Sequence, residues 1–236
     1  TVNGNVSIDG GTIKLDGNYP TGTENVALGN TALDSGSLSG AYNTAIGSAS
    51  MTANTSGERN VAVGRTSLEA NLGGSFNVAS GYGALRLNTS GGSNTAIGYN
   101  AMLANQTGEG NTAVGEGALD ANNPGDDNVA IGKLSLSGNT TADNNTAVGT
   151  CALKTNTTGT ENVAVGLCAL TANTTASNNV AVGRKALATN TTGTHNVALG
   201  FNSQFSTTEG LCNISVGGGS LQSTTTGCYN IGIGRF

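Results

Sequence analysis

The chain has 236 residues, among them 38 Gly, with 10% charged residues, 4% aromatic residues, no Trp and a formal charge of -5. Glycine added to the 36% hydrophobic fraction makes about half of the chain apolar, an ordinary globular share that excludes a disordered polar tail. Nine Lys and Arg against fourteen Asp and Glu leave no basic stripe for a phosphate backbone, so nucleic acid is not an expected partner, and the short apolar runs exclude direct membrane insertion of this segment as a helix.

In chain order, residues 1–24 come first and stand apart. Val6/Ile8 and Ile13/Leu15 alternate around Asp9-Gly10-Gly11, which predicts a small hairpin, an entry segment that covers the start of the remaining chain. From residue 25 to 236 the chain is a repeat. Asn stands at 25, 43, 60, 77, 94, 111, 128, 145, 162, 179, 196, 213 and 230, one interval of 18 followed by eleven of 17, and Gly stands four residues after each. Eight residues after the Asn comes Leu or Met, with Gln204 the one exception, preceded by Ala or Ser. A second Asn follows at eleven in most units (Asn54, Asn71, Asn88, Asn105, Asn122, Asn156, Asn173, Asn190), and a Gly at fourteen, from Gly57 to Gly227. The sequence assigns these two positions to corners, because Asn and Gly accept left-handed backbone.

A unit of 17 is too short for paired-helix repeats and lacks the Leu-rich pattern. It suits one coil of a parallel β-solenoid: a strand at each Asn-Val-Ala-Val-Gly run, a second short extended piece at Ala-Leu, and Asn- and Gly-bearing corners. About thirteen stacked coils at ~4.8 Å make a rod roughly 60 Å long. The expected architecture is therefore all-β, and function is expected in length rather than in a pocket.

Within each strand, alternate residues face opposite ways. The bulky face (Val61/Val63, Val180/Val182, Ile231/Ile233) is expected to fill the coil. The other face carries Ala27, Ala45, Ala62, Ala79, Ala96, Ala113, Ala130, Ala147, Ala164, Ala181 and Ala198, an unbroken series without Lys, Glu or Thr. It is expected to be the subunit interface, small enough for another backbone to approach. Burying a few apolar side chains per coil yields ~5 to 7 kcal/mol, well short of the ordering cost of 17 residues, so stacking and self-association are needed.

Asn-Val-Ala-Val/Ile-Gly followed by Ala-Leu, coil after coil, resembles the head domains of trimeric autotransporter adhesins and the repeat regions of bacteriophage tail-fibre proteins. The resemblance implies a left-handed parallel β-roll, a homotrimer, and a structural or adhesive role at a virion or cell surface, with a receptor or glycan as the outside partner. The period of 17 departs from the shorter repeat of the adhesin heads, and neither a heptad stalk nor a membrane-anchor barrel lies within these residues.

Other chemistry is sparse. Cys151 and Cys168 occupy one position in consecutive units, and Cys212 and Cys228 stand one and two residues before consecutive register Asn. Stacking places each pair within disulfide reach, with a reduced ladder as the alternative. With one His in the chain, no zinc set forms; His195 reads as a corner residue without a catalytic partner, so no catalytic, cofactor or metal site is expected. Glu24, Glu58, Glu109, Asp126, Asp127 and Glu161 read as a solvated acidic edge. The Asn-Thr-Thr corners at Asn139, Asn156, Asn173 and Asn190 invite an ice-binding reading, but adjacent Thr residues point in different directions; they also contain Asn-x-Thr sequons. Tyr82, Tyr99 and Phe201 share a variable position with Arg65, Lys133 and Arg184, and are the candidates for a glycan contact along the rod. The favoured reading is a non-catalytic fibre shaft or head. The alternatives are an adhesin that binds a glycan or matrix ligand, and an ice-binding solenoid.

Overall fold

The computed structural model describes residues 24–235; the hairpin expected over residues 1–24 lies outside the described residues apart from Glu24. Thirteen three-residue strands, from β1 (Val26–Leu28) to β13 (Ile231–Ile233), form one parallel sheet in sequence order, and no helix occurs among the described residues. Pairing is in register throughout, as in Ala62 opposite Ala79 and Ala113 opposite Ala130. The chain is a β-solenoid of about twelve turns, each coil paired along its length with the next.

The strand faces are the reverse of the expected ones. The alanines from Ala45 to Ala198 are 0% exposed within a single chain, and Ala27 packs against the same core. They face the inside of the coil, so the interface assigned to them is corrected: no sister chain is needed to cover them. The cause is the narrowness of the coil. The strand lies against the segment that carries the buried Leu, and at Gly232 an added Cβ would come within 2.7 Å of Leu221 Cγ and 2.8 Å of Ser220 Oγ. At that coil even a methyl would force a shift, and from Ala45 to Ala198 the wall facing the Leu holds a methyl at 0% exposure.

Each coil thus has a slender core of one large side chain (Leu68, Leu85, Met102, Leu119 and their equivalents) and two small ones. Two polar spines flank it. From Asn43 to Asn213, each register Asn donates through Nδ2 to the carbonyl fourteen residues on, as Asn60 does to Gly74 at 2.9 Å, and accepts at Oδ1 the backbone N–H of the next register Asn, as from Asn77 at 2.9 Å. The second Asn forms a side-chain ladder: Asn71 Nδ2 donates to Asn54 Oδ1 at 2.7 Å, and the chain of such bonds runs unbroken to Asn190. From Asn43 to Asn213 these amides are fully buried, and stacking satisfies their donors and acceptors coil by coil, Asn190 Oδ1 at the end of the ladder excepted.

The corners also differ from expectation. The Asn at eleven and the Gly at fourteen do not adopt left-handed backbone. The small residue at fourteen is there for space: a Cβ on Gly74 would collide with Gly91 O and with Asn71 Oδ1. Left-handed backbone falls instead at the buried Leu (Leu68, φ 50°), two residues before it (Thr66, φ 56°) and immediately before the register Asn (Arg59, φ 55°). A Leu there costs about 1–2 kcal/mol, which burial of the side chain, worth about 1.5–3 kcal/mol, offsets.

Candidate interaction surface

With alanine inside, the bulky residues of every strand stand outside. They form two parallel columns, one starting Val26, Thr44, Val61, Val78 and the other Leu28, Ile46, Val63, Ser80, and both run the full thirteen strands without a charged residue. Along the middle of the sheet these side chains remain partly open to solvent, with Val61 and Val63 each 38% exposed and Ile131 40%. The strip is about 60 Å long and, at three residues, about 10 Å wide. An uncharged apolar strip of this length on one face of a rod is the marked feature of the molecule.

Two further columns border the strip. The residue before the register Asn and the residue five after it lie on opposite sides. The first border holds Glu24, Asp127 and Glu161 with Arg59 and His195; the second holds Arg65, Lys133, Arg184 and Arg235 with one acid, Glu116. The two edges therefore carry opposite net charge.

Most of the described aromatic side chains sit on these borders, and five of them are used in stacking along the rod. Arg59 lies between Tyr42 and Phe76, its Cζ 5.1 and 5.5 Å from the ring centroids. Tyr82 and Tyr99 stack at 5.5 Å and 13°, with Arg65 over Tyr82 at 5.6 Å, and Arg184 covers Phe201 at 5.3 Å. Sugar rings bind flat on aromatic faces; Tyr82 has both faces covered, whereas Tyr99 and Phe201 each keep one face open and stay about half exposed. Ion pairs follow the same coil-to-coil geometry: Lys133 Nζ lies 2.9 Å from Glu116 Oε2, and Arg86 Nε 2.7 Å from Glu69 Oε2, a contact that raises the Arg86 pKa. Burial pushes the Asp120 carboxyl above its ordinary range.

Cys151, Cys168, Cys212 and Cys228 are free thiols. His195 is an exposed corner residue whose Nδ1 is 3.1 Å from Thr194 Oγ1. Among the described residues, no group of three His, Cys, Asp or Glu side chains is arranged to hold a metal ion. Asn139, Asn156, Asn173 and Asn190 of the Asn-Thr-Thr corners are fully buried in the ladder, which withdraws their sequons from modification in the folded chain. The first Thr of each corner turns its hydroxyl into the backbone, as Thr140 Oγ1 does to Thr157 O at 3.0 Å, so a single Thr column points outward. The cavity lined by Gly219, Leu221, Gln222, Gly232 and Ile233 is the open end of the last coil.

Sequence reasoning missed the exposed strip, although its signal was present. The first strand column mixes Val with Thr (Thr44, Thr95, Thr112, Thr146), and Ser80 interrupts the second, whereas the alanine column holds only small residues. The tighter restriction, to Ala with one Ser (Ser215) and one Gly (Gly232), marks the interior.

Comparison of the chain with protein-family models, curated proteins and solved structures gives no match.

Proposed function

We propose that the chain is a non-catalytic fibre element, a rod that associates with copies of itself through the outer strand strip and acts as a shaft or head at a virion or cell surface. The observation that carries this reading is the uncharged apolar strip along all thirteen strands. Its area, about 600 Å² before side-chain relief and the two borders are added, is comparable with the ~800 Å² per partner of a stable interface. A second copy has the same rise per coil, so it matches the strip along its whole length. The opposite charges of the borders favour copies that run parallel, with the acidic edge of one beside the basic edge of the next. Three copies, the number drawn from the resemblance to adhesin heads and tail fibres, enclose the strips around a common axis. A bacteriophage tail fibre or an extracellular filament is the setting this reading fits, with any receptor or glycan met at the end or on the outer corners of the rod.

Sedimentation equilibrium at micromolar concentration tests the reading. The expected mass is that of three chains, falling to one chain in the Ile131→Lys, Val148→Lys double variant with its β-sheet circular dichroism unchanged. A single-chain mass for the unaltered protein would overturn it. A glycan array with the rod separates a spacer, which gives no signal, from a lateral adhesin.

A further inference from the structure

Cys151 and Cys168 hold equivalent places in consecutive coils. Each donates its backbone N–H to the carbonyl of the coil before it, Cys151 to Lys133 O and Cys168 to Thr150 O, both at 3.0 Å. Their backbones have the same left-handed conformation, φ 57° and 55°, and each is followed by a buried Ala-Leu pair, Ala152-Leu153 and Ala169-Leu170. The two Cα–Cβ bonds are therefore parallel and about 4.8 Å apart, one coil rise, with no side chain between them. That separation lies inside the Cα range of a disulfide and a few tenths of an ångström outside its Cβ range. Both thiols are half-buried, one residue beyond the basic border, so the proposed self-association through the strip leaves them open to reagents.

Cys212 and Cys228 are arranged differently. Cys228 stacks on Leu211, whose N–H its Sγ accepts at 3.3 Å, and its own thiol turns toward Thr226 O at 3.5 Å. This pair is diagonal rather than aligned.

We propose that Cys151 and Cys168 form an oxidation site that closes one coil of the solenoid into a covalent ring. With a small disulfide as oxidant, the thiolate of one Cys attacks the reagent and releases one reduced thiol; the second Cys then attacks the mixed disulfide and releases the other. One Cys151–Cys168 bond forms, the reagent's S–S bond is reduced to two thiols, and the two protons of the cysteines pass to them.

The test is peptide mapping after exposure of the intact, folded chain to oxidised glutathione, with free thiols alkylated before denaturation and trypsin digestion. Lys133, Lys154 and Arg184 place the two cysteines in separate peptides, 134–154 and 155–184. The expected product is these two peptides joined, lost on reduction and absent from the Cys168→Ser variant, which leaves the coil intact because Leu134 and Lys185 fill the same place in neighbouring coils. Recovery of both peptides alkylated, or stopped at the glutathione adduct, would overturn the proposal. So would 134–154 joined to a second copy of itself.

Discussion

From Asn43 to Asn190 the coils are near copies of one another, with Leu or Met inside and amides stacked on either side; the coil that begins at Asn196 has a polar interior instead. There Gln204 takes the place of Leu, and its Nε2 donates to Val197 O at 2.8 Å and to Ser215 Oγ at 3.0 Å. Ser215 in turn replaces the strand Ala of the next coil and bonds with Ser203. The exceptions at 204 and 215 are one exception, a matched pair that faces itself across the coil. Thr207 is unmatched: it replaces the ladder Asn and bonds onward to Thr224 O, so Asn190 Oδ1 is left without a donor, as is Gln204 Oε1. A coil is thus constrained by its neighbour more than by any consensus, and a departure leaves an orphan: one acceptor of Gln204 even in the paired change, and the Asn190 acceptor where Thr207 ends the ladder.

Four variants break or sharpen this contrast. The largest effect is expected for Ala130→Lys, which places an unpaired charge inside a regular coil; the loss should exceed about 5 kcal/mol and abolish the sheet signal in circular dichroism. Next, Asn128→Ala removes the acceptor of Asn145 N–H and the donor to Ala142 O, and a loss of about 3 kcal/mol is expected in the urea midpoint. Converting the polar coil to the regular one, Gln204→Leu with Ser215→Ala, should stabilise by about 1–2 kcal/mol. Each single change should fall short of half that gain, a non-additivity that a double-mutant cycle measures. The smallest effect, about 1 kcal/mol of stabilisation, is expected for Thr207→Asn with Thr224→Asn, which supplies Asn190 Oδ1 with a donor and moves the ladder's end to the last coil, where water reaches it; thermal unfolding reads it.

The period, the sheet and its register were legible in the sequence because one in-register strand per 17 residues leaves a signature that thirteen copies repeat. The direction of the faces was not. Val61 and Val63 are the larger side chains, and hydrophobic size usually marks the inside, but a coil this narrow reverses the rule: Leu68 fills the interior from the opposite wall, and Ala62 takes what space remains. The corners were misread for a related reason. Asn71 and Gly74 look like turn formers, yet their work is to bond and to make room, while Leu68, a residue that resists left-handed backbone, adopts it because the pocket holds its side chain. The exposed strip comes from the same inversion, and with it the surface proposed for self-association.

The register spine has a direction. In every pair, the amide oxygen belongs to the earlier coil and the incoming N–H to the later one, as in Asn111 to Asn94 and Asn128 to Asn111. A ribosome delivers residues in that same order, so each newly emerged stretch of 17 finds its hydrogen-bonding template already in place. The rod can be laid down course by course during synthesis, without waiting for distant residues to arrive.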